Sequence, residues 1–327
     1  MTTPPVVRIG FGDYDHTRDL WNGRVTVPEC ELDCTPVDNL GEVFRRFLEG
    51  GEWDAAELPL ATVTAMLGQG DDSLVVLPVF LARSFRHGTI YVHKDGPQNP
   101  EDLAGKRIGI PTWAQTTGIV VRGMLASEYG VDLNSISWIQ PGAHTSERKE
   151  TTPLDVPGFD VTRVDGTTLD QLLLGGEVDA VISTRPPVGT ERSDSPVRRM
   201  FEKWTFEEMS YTRKTGLYPI MHVLALRRAV YEAEPSVYTG LVKAFTDAKD
   251  RAVKRAKNTT VPSYPLPWAP SNMLRTKEFL GDDFWPYGIE ANLPTIEKFL
   301  DDCAQQSVTP RRLSIDELFA QEAAHSY

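Results

Sequence analysis

Asp95-Gly-Pro-Gln-Asn-Pro-Glu-Asp-Leu-Ala-Gly-Lys-Arg-Ile-Gly-Ile110 is the stretch where the chain's pattern stops and begins again. Asp-Gly-Pro and Asn-Pro break any regular element, because proline fixes φ and glycine frees it. Beyond them Lys106–Ile110 reads as a strand, Pro111-Thr112 as a turn, and about Ala114 to Tyr129 as a helix. The same order has already run once. Val6-Val-Arg-Ile-Gly10 is an apolar run ending in glycine, and Glu31–Val37 alternates like a strand. Leu40, Val43, Phe44, Phe47 and Leu48 then recur at helical spacing before a Gly50-Gly51 stop. Trp53–Leu58, Leu74–Phe80 and Gly88–His93 read as further strands, with a helix over Ala61–Leu67. Alternating strands and helices predict an α/β architecture with a largely parallel sheet. The restart predicts a second such unit.

Past the restart, Ser137–Gln140 and Asp160–Val164 read as strands around a polar loop at Pro141–Gly158. A helix over Thr168–Leu174, closed by Gly175-Gly176, leads into a buried strand at Asp179–Ser183. Met221–Leu226 reads as a strand feeding a long helix from Pro235 to about Lys257, with proline in its preferred first turn. Pro262–Pro270 is rich in proline and aromatics, and helices are expected near Asn272, Asn292 and Ile315. The expected layout is one lobe from residues 1–93 and 221–262 and a second from 94–220. A helical segment, 263–327, should pack back on both. Two α/β lobes joined by crossing strands place a ligand cleft where strand ends and helix N-termini meet.

Composition narrows the partners. Against 34 Lys and Arg stand 46 Asp and Glu, a net charge of −12 over 327 residues. Such a field repels nucleic acid and anionic lipid. The densest basic run, Lys249–Lys257, reads as a solvated helix face. No stretch approaches the roughly 20 apolar residues of a spanning helix, and Met1–Gly12 has no basic-then-apolar leader pattern. Three cysteines, Cys30, Cys34 and Cys303, are too few for a disulfide framework and read as reduced and buried. A cytoplasmic location is the expectation.

Four clusters interrupt the strand ends with polar side chains. Gly12–Arg18 holds Asp13 and Asp15, either of which could cap a short helix, and leaves His16 and Arg18 over. Arg83-Ser-Phe-Arg-His87 is a compact cationic group suited to a small carboxylate, or else a loop of solvated arginines. Pro111–Gly118 offers hydroxyls and free N–H groups at a helix start, with Thr112 as a plain cap and Arg122 one turn on. Ile182-Ser-Thr-Arg185 pairs with Gly216–His222, where His222 begins the returning strand as catalyst or as structural residue. There is no Gly-x-Ser-x-Gly elbow, Walker loop or His-Glu-x-x-His, and Gly10-Phe-Gly12 lacks the third glycine of a dinucleotide fingerprint.

Several strings go further. Tyr14–Arg18, Phe44–Leu48, Phe80–His87, Ile182–Pro187, Arg213–His222, Trp285–Asn292 and Ser307–Leu313 resemble the 4,5-dihydroxyphthalate decarboxylase family over nearly the whole chain. The resemblance implies a two-lobed type 2 periplasmic-binding-protein-like fold with a central ligand cleft. It also implies a cofactor-independent aromatic acid decarboxylase, with no metal, that admits a homo-oligomer. The expected partner is a small aromatic carboxylate.

Losing CO2 from a hydroxylated aromatic acid requires a proton at the carboxyl-bearing carbon, a partner at the phenol, and cations for any carboxylate that stays. On that expectation His87 or His222 donates the proton, and Asp15 or Glu57 orients it or holds the phenol. Arg83, Arg86 and Arg185 bind carboxylate with the Thr116/Thr117 turn, and Arg18, Phe85 and Tyr218 complete the substrate site. Two other readings stand beside it. One is a solute-binding module that closes on an aromatic or sulfonated anion without catalysis. The other is a metal-dependent decarboxylase built on His87, His222 and Glu57 or Asp15.

Overall fold

The computed structural model describes residues 4–142, 154–258, 260–261 and 263–319. Eleven strands are found among them: β1 (Val6–Gly12), β2 (Glu31–Val37), β3 (Ala55–Pro59), β4 (Leu74–Arg83), β5 (Ile90–His93), β6 (Arg107–Gly109), β7 (Ser137–Gly142), β8 (Asp160–Thr168), β9 (Ala180–Ile182), β10 (Val197–Arg199) and β11 (Ile220–Arg227). They form two sheets, ordered β2-β1-β3-β11-β4 and β10-β5-β9-β6-β7-β8. β1 runs parallel to β2 and β3, and β6 to β7 and β9, as right-handed strand–helix–strand units require. The strands that carry the chain across, β4, β5, β10 and β11, pair antiparallel. Most of the 143–158 loop lies outside the described residues.

The sequence pattern misses three things here. β5, read with the first lobe, hydrogen-bonds into the second sheet, so the chain leaves the first sheet at Ser84. β10 and the helix Trp204–Thr215 have no clear period in the sequence; that helix buries only Glu208 and Thr212. β4 runs three residues past Phe80, through Arg83, because its end pairs with Ile220 of the returning strand.

The two crossings lie side by side. Ser84 N–H donates to Pro219 O at 3.2 Å, and the Arg83 guanidinium donates to Tyr218 O at 2.7 Å. β4 is an edge strand, and nine of its ten residues are buried. An exposed edge of that length invites aggregation. The C-terminal segment covers it: Trp285 Nε1 donates to Phe80 O, Gly288 N to Pro78 O, and Phe319 bridges to Val76.

The basic run on helix Ser236–Ala256 is not a purely solvated face. Lys249 is buried, while Arg251 and Arg255 both reach the fully buried Asp19 carboxylate, at 2.6 and 2.8 Å. A buried carboxylate demands such pairing, and it ties this helix to the loop after β1. Arg122, placed in the sequence near an anion site or facing solvent, is fully buried. Its guanidinium lies 3.9 Å from the Trp113 ring centroid and donates to Gln306 Oε1 and Trp113 O. The helix it belongs to starts at Thr116, after Gln115, so Thr112 is not its cap. Cys30 and Cys303 are buried, Cys34 is half-buried, and all three are free thiols.

Close packing in the first lobe makes one position on β1 intolerant of any side chain. A Cβ at Gly10 would lie 2.5 Å from the Trp53 ring, and Trp53 is itself buried. Gly10→Ala is expected to destabilise the protein by about 1–3 kcal/mol through overpacking, measured as a lower denaturant midpoint; an unchanged midpoint would show that the indole moves freely.

Candidate active site

The site grows from a single charged residue in an apolar strand. β3 reads Ala-Ala-Glu-Leu-Pro, and its Glu57 is completely buried. A buried carboxylate with no partner would cost several kcal/mol, so its surroundings are specified. Gly12 N, at the end of β1, donates to Oε2 at 2.9 Å, and the Tyr14 hydroxyl donates to Oε1 at 2.7 Å. His222 Nδ1 lies 2.6 Å from Oε1. The register explains that meeting. Glu57 stands opposite Leu224 on β11, so His222 is its diagonal neighbour on the same face, within reach of a long side chain.

With an ionised carboxylate that only accepts, Nδ1 of His222 is the donor, and Nε2 is left to act. The imidazole keeps 17% of its surface accessible, and Phe44 packs against it edge-to-face at 5.3 Å. The Tyr14 hydroxyl is raised far above its ordinary pKa by burial and by Glu57, so it stays a donor. Tyr14 stacks on His16, whose Nε2 lies 3.0 Å from Leu81 O. The hydroxyl of Tyr287 is buried close by, near enough for Glu57 to raise its pKa.

A cationic group faces this from the crossings. Arg83 spends two terminal nitrogens on Tyr218 O and Pro286 O, leaving a buried Nε with no partner, and its guanidinium lies 4.5 Å over the Tyr218 ring. Arg86 makes one side-chain hydrogen bond among the described residues, from Nε to Met221 Sδ at 3.0 Å. Burial lowers both guanidinium pKa values to about 10, so each remains a cation at neutral pH. Among the described residues neither has a carboxylate within ion-pair distance, in contrast to the arginines on Asp19; Glu208, whose pKa burial raises to about 7, acts on Arg86 from further away. Phe85 stacks on Tyr218 at 4.6 Å, and Trp285 meets Tyr218 edge-to-face. Thr117 Oγ1 approaches the same Met221 sulfur at 3.8 Å, whereas Thr116 Oγ1 accepts from Ala61 N and so joins the lobes.

The remaining sequence candidates lie elsewhere. Asp15 caps no helix: it pairs with Arg18 and Arg255 at 3.2 Å and accepts from the Tyr264 hydroxyl. Neither it nor Arg18 touches Glu57 or His222. Arg185 is exposed on its loop. His87 is 2% exposed, edge-to-face with Phe201 and Tyr211, and both ring nitrogens lack a partner among the described residues. Of the four residues weighed as donor or orienting group, the structure brings together Glu57 and His222. Among the described residues no three His, Cys, Asp or Glu side chains converge as metal ligands. Tyr14, Phe44, Met221, Trp285 and Tyr287 join the site without having been singled out. All five lie inside the family-like strings, which was the available signal.

The buried His87 ring carries its own signature. Burial pushes its pKa down to about 4, below the ordinary 6.5. The unfolded chain therefore binds the extra proton first, so stability is complete above pH 6.5 and is lost as pH falls toward 4. His87→Leu, which removes two unpartnered polar atoms, is expected to flatten that stretch of the stability–pH curve; an unchanged slope would locate the effect elsewhere.

No family model matches the chain. It is 33% identical over 325 residues to a 4,5-dihydroxyphthalate decarboxylase of Comamonas testosteroni, covering 98% of this chain and 97% of that one. A second, from Pseudomonas putida, is 31% identical over 182 residues, 55% of this chain and 70% of the relative. Among solved structures it resembles the periplasmic aliphatic sulphonate binding protein of Escherichia coli at a TM-score of 0.50 and 15% identity, covering 98% and 93% of the two chains. A protein of Archaeoglobus fulgidus matches at the same TM-score, with 14% identity over 92% and 97%. The fold is that of the two-lobed periplasmic binding proteins, with Glu57 on the middle strand of the first sheet and His222 near the start of the strand that returns to it. On the evidence of near full-length identity, this chain belongs to the 4,5-dihydroxyphthalate decarboxylase family.

Proposed function

We propose that the protein decarboxylates a hydroxylated aromatic dicarboxylate such as 4,5-dihydroxyphthalate, with His222 as the proton donor. The observation that carries the assignment is the 2.6 Å contact between His222 Nδ1 and the buried Glu57 carboxylate. It fixes the ring through one nitrogen and leaves the other to work, the arrangement general acid catalysis needs. Gly12 N and Tyr14 hold Glu57 in turn.

The chemistry follows from the ring. In 4,5-dihydroxyphthalate each carboxyl has a hydroxyl para to it, so electron density from that oxygen reaches the carboxyl-bearing carbon. His222 Nε2–H gives its proton to that carbon. The bond to the carboxylate then breaks, its electron pair restores the aromatic ring, and CO2 leaves. The imidazolium becomes neutral imidazole and solvent reprotonates it, so the balance is one dihydroxyphthalate dianion and one proton to one dihydroxybenzoate monoanion and CO2.

The second carboxylate stays, and the unpaired cations Arg86 and Arg83 are suited to it. Gripping the departing carboxylate would stabilise the ground state and slow its loss, so the arginines serve the spectator group. Phe85, stacked by one face on Tyr218, has its other flat apolar face for the ring beside them.

Purified protein incubated with 4,5-dihydroxyphthalate is expected to release CO2 with a change in ring absorbance. Binding without CO2 release would instead support a solute-binding role. His222→Asn and Glu57→Gln are each expected to lower kcat on the order of 10²–10⁴-fold, while His87→Leu stays near wild type. Full activity in His222→Asn would remove the assignment. Arg86→Ala should raise KM for the dicarboxylate with a smaller change in kcat; an equal loss in both would place Arg86 at the reacting group.

A further inference from the structure

Met221 and His222 are consecutive on β11, and their side chains serve different parts of the site. His222 turns to Glu57 on β3, and Met221 turns to Arg86 and Thr117. The sulfur is buried, with Met221 1% exposed. A thioether is a weak acceptor, an unusual partner for the one hydrogen bond that a largely desolvated guanidinium makes. Its effect is directional. With Nε held by the sulfur, the two terminal nitrogens make no other hydrogen bond among the described residues and are left for a carboxylate, which accepts from such a pair in parallel.

We infer that Met221 is the positioning residue of the carboxylate site, fixing Arg86 through its sulfur and thereby selecting aromatic substrates that carry a second carboxylate beside the one that leaves. The inference rests on the decarboxylase reading of the site and adds its specificity to it. A sulfur serves here better than a stronger acceptor facing the fork would. It anchors Nε without placing negative charge against the incoming anion, so binding displaces nothing. A carboxylate seated on Arg86 makes a contact that the departing group does not make. Substrates with a single carboxylate leave that contact unmade.

Two substitutions separate this role from simple packing. Met221→Leu keeps volume and apolarity and removes the acceptor; Met221→Gln keeps length and supplies an amide oxygen for Nε. The positioning role predicts that Met221→Leu raises KM for 4,5-dihydroxyphthalate about tenfold with kcat within about twofold. It predicts that Met221→Gln stays within about threefold of wild type in both. A packing role predicts the reverse, since leucine suits a buried apolar site and glutamine does not. Calorimetric binding of phthalate and of catechol, which has no carboxylate, supplies an independent readout that works even if the glutamine variant does not fold. Met221→Leu should weaken phthalate about tenfold and leave catechol unchanged, while equal weakening of both, or of neither, overturns the inference. Wild-type protein that neither binds phthalate nor turns over 4,5-dihydroxyphthalate would instead bring down the reading of the site itself.

Discussion

A carboxylate with no access to water organises this protein. Glu57 sits in the middle strand of the first sheet, and an ionised group there survives only if each oxygen is paired. Its partners come from the end of β1, the loop after it, and the start of β11. Satisfying one charge therefore fixes three stretches of chain relative to one another. One of these is the strand that returns between the sheets, and the same contact that solves a folding problem holds His222 in a single orientation. Removing Glu57 leaves the His222 ring without the partner that orients it, and takes from Gly12 N and the Tyr14 hydroxyl their acceptor, so fold and candidate site share this interaction.

Charge is used in two contrasting ways. At Asp19 a fully buried carboxylate is met by Arg251 and Arg255, and these ion pairs tie the long helix Ser236–Ala256 to the first lobe. At the crossings Arg83 and Arg86 are kept charged while burial lowers their pKa values, and among the described residues no carboxylate forms an ion pair with either, Glu208 acting on Arg86 and Asp283 on Arg83 only at longer range. Desolvating a cation without a counter-ion opposes folding. In a chain with net charge −12, where carboxylates are plentiful, two such cations suit the proposed role of receiving an external anion.

Adjacent crossings give the site its geometry. β4 and β11 pair where the chain leaves and re-enters the first sheet, so Arg83, Arg86, Tyr218, Met221 and His222 collect there from two distant stretches. The C-terminal segment that shields the β4 edge also brings Trp285 and Tyr287 to the same place. Edge protection and site completion are thus one structural act.

From the sequence alone came the α/β class, the restart after Asp95, the strand that carries Glu57, the cationic Arg83–His87 group and the histidine opening β11. These are local: period, turn chemistry and polar residues in apolar runs appear within ten or so positions. The sequence could not say that Glu57 and His222 meet, since 165 residues separate them and only the β3–β11 register makes them diagonal neighbours. Nor could it show that His87, one residue from Arg86, turns into an aromatic core, or that Asp15 is taken by Arg255 and Tyr264. Neighbouring residues on an irregular crossing point in directions set by whatever packs against them. Residue types were therefore legible in the chain, while pairing and direction were decided by the tertiary structure.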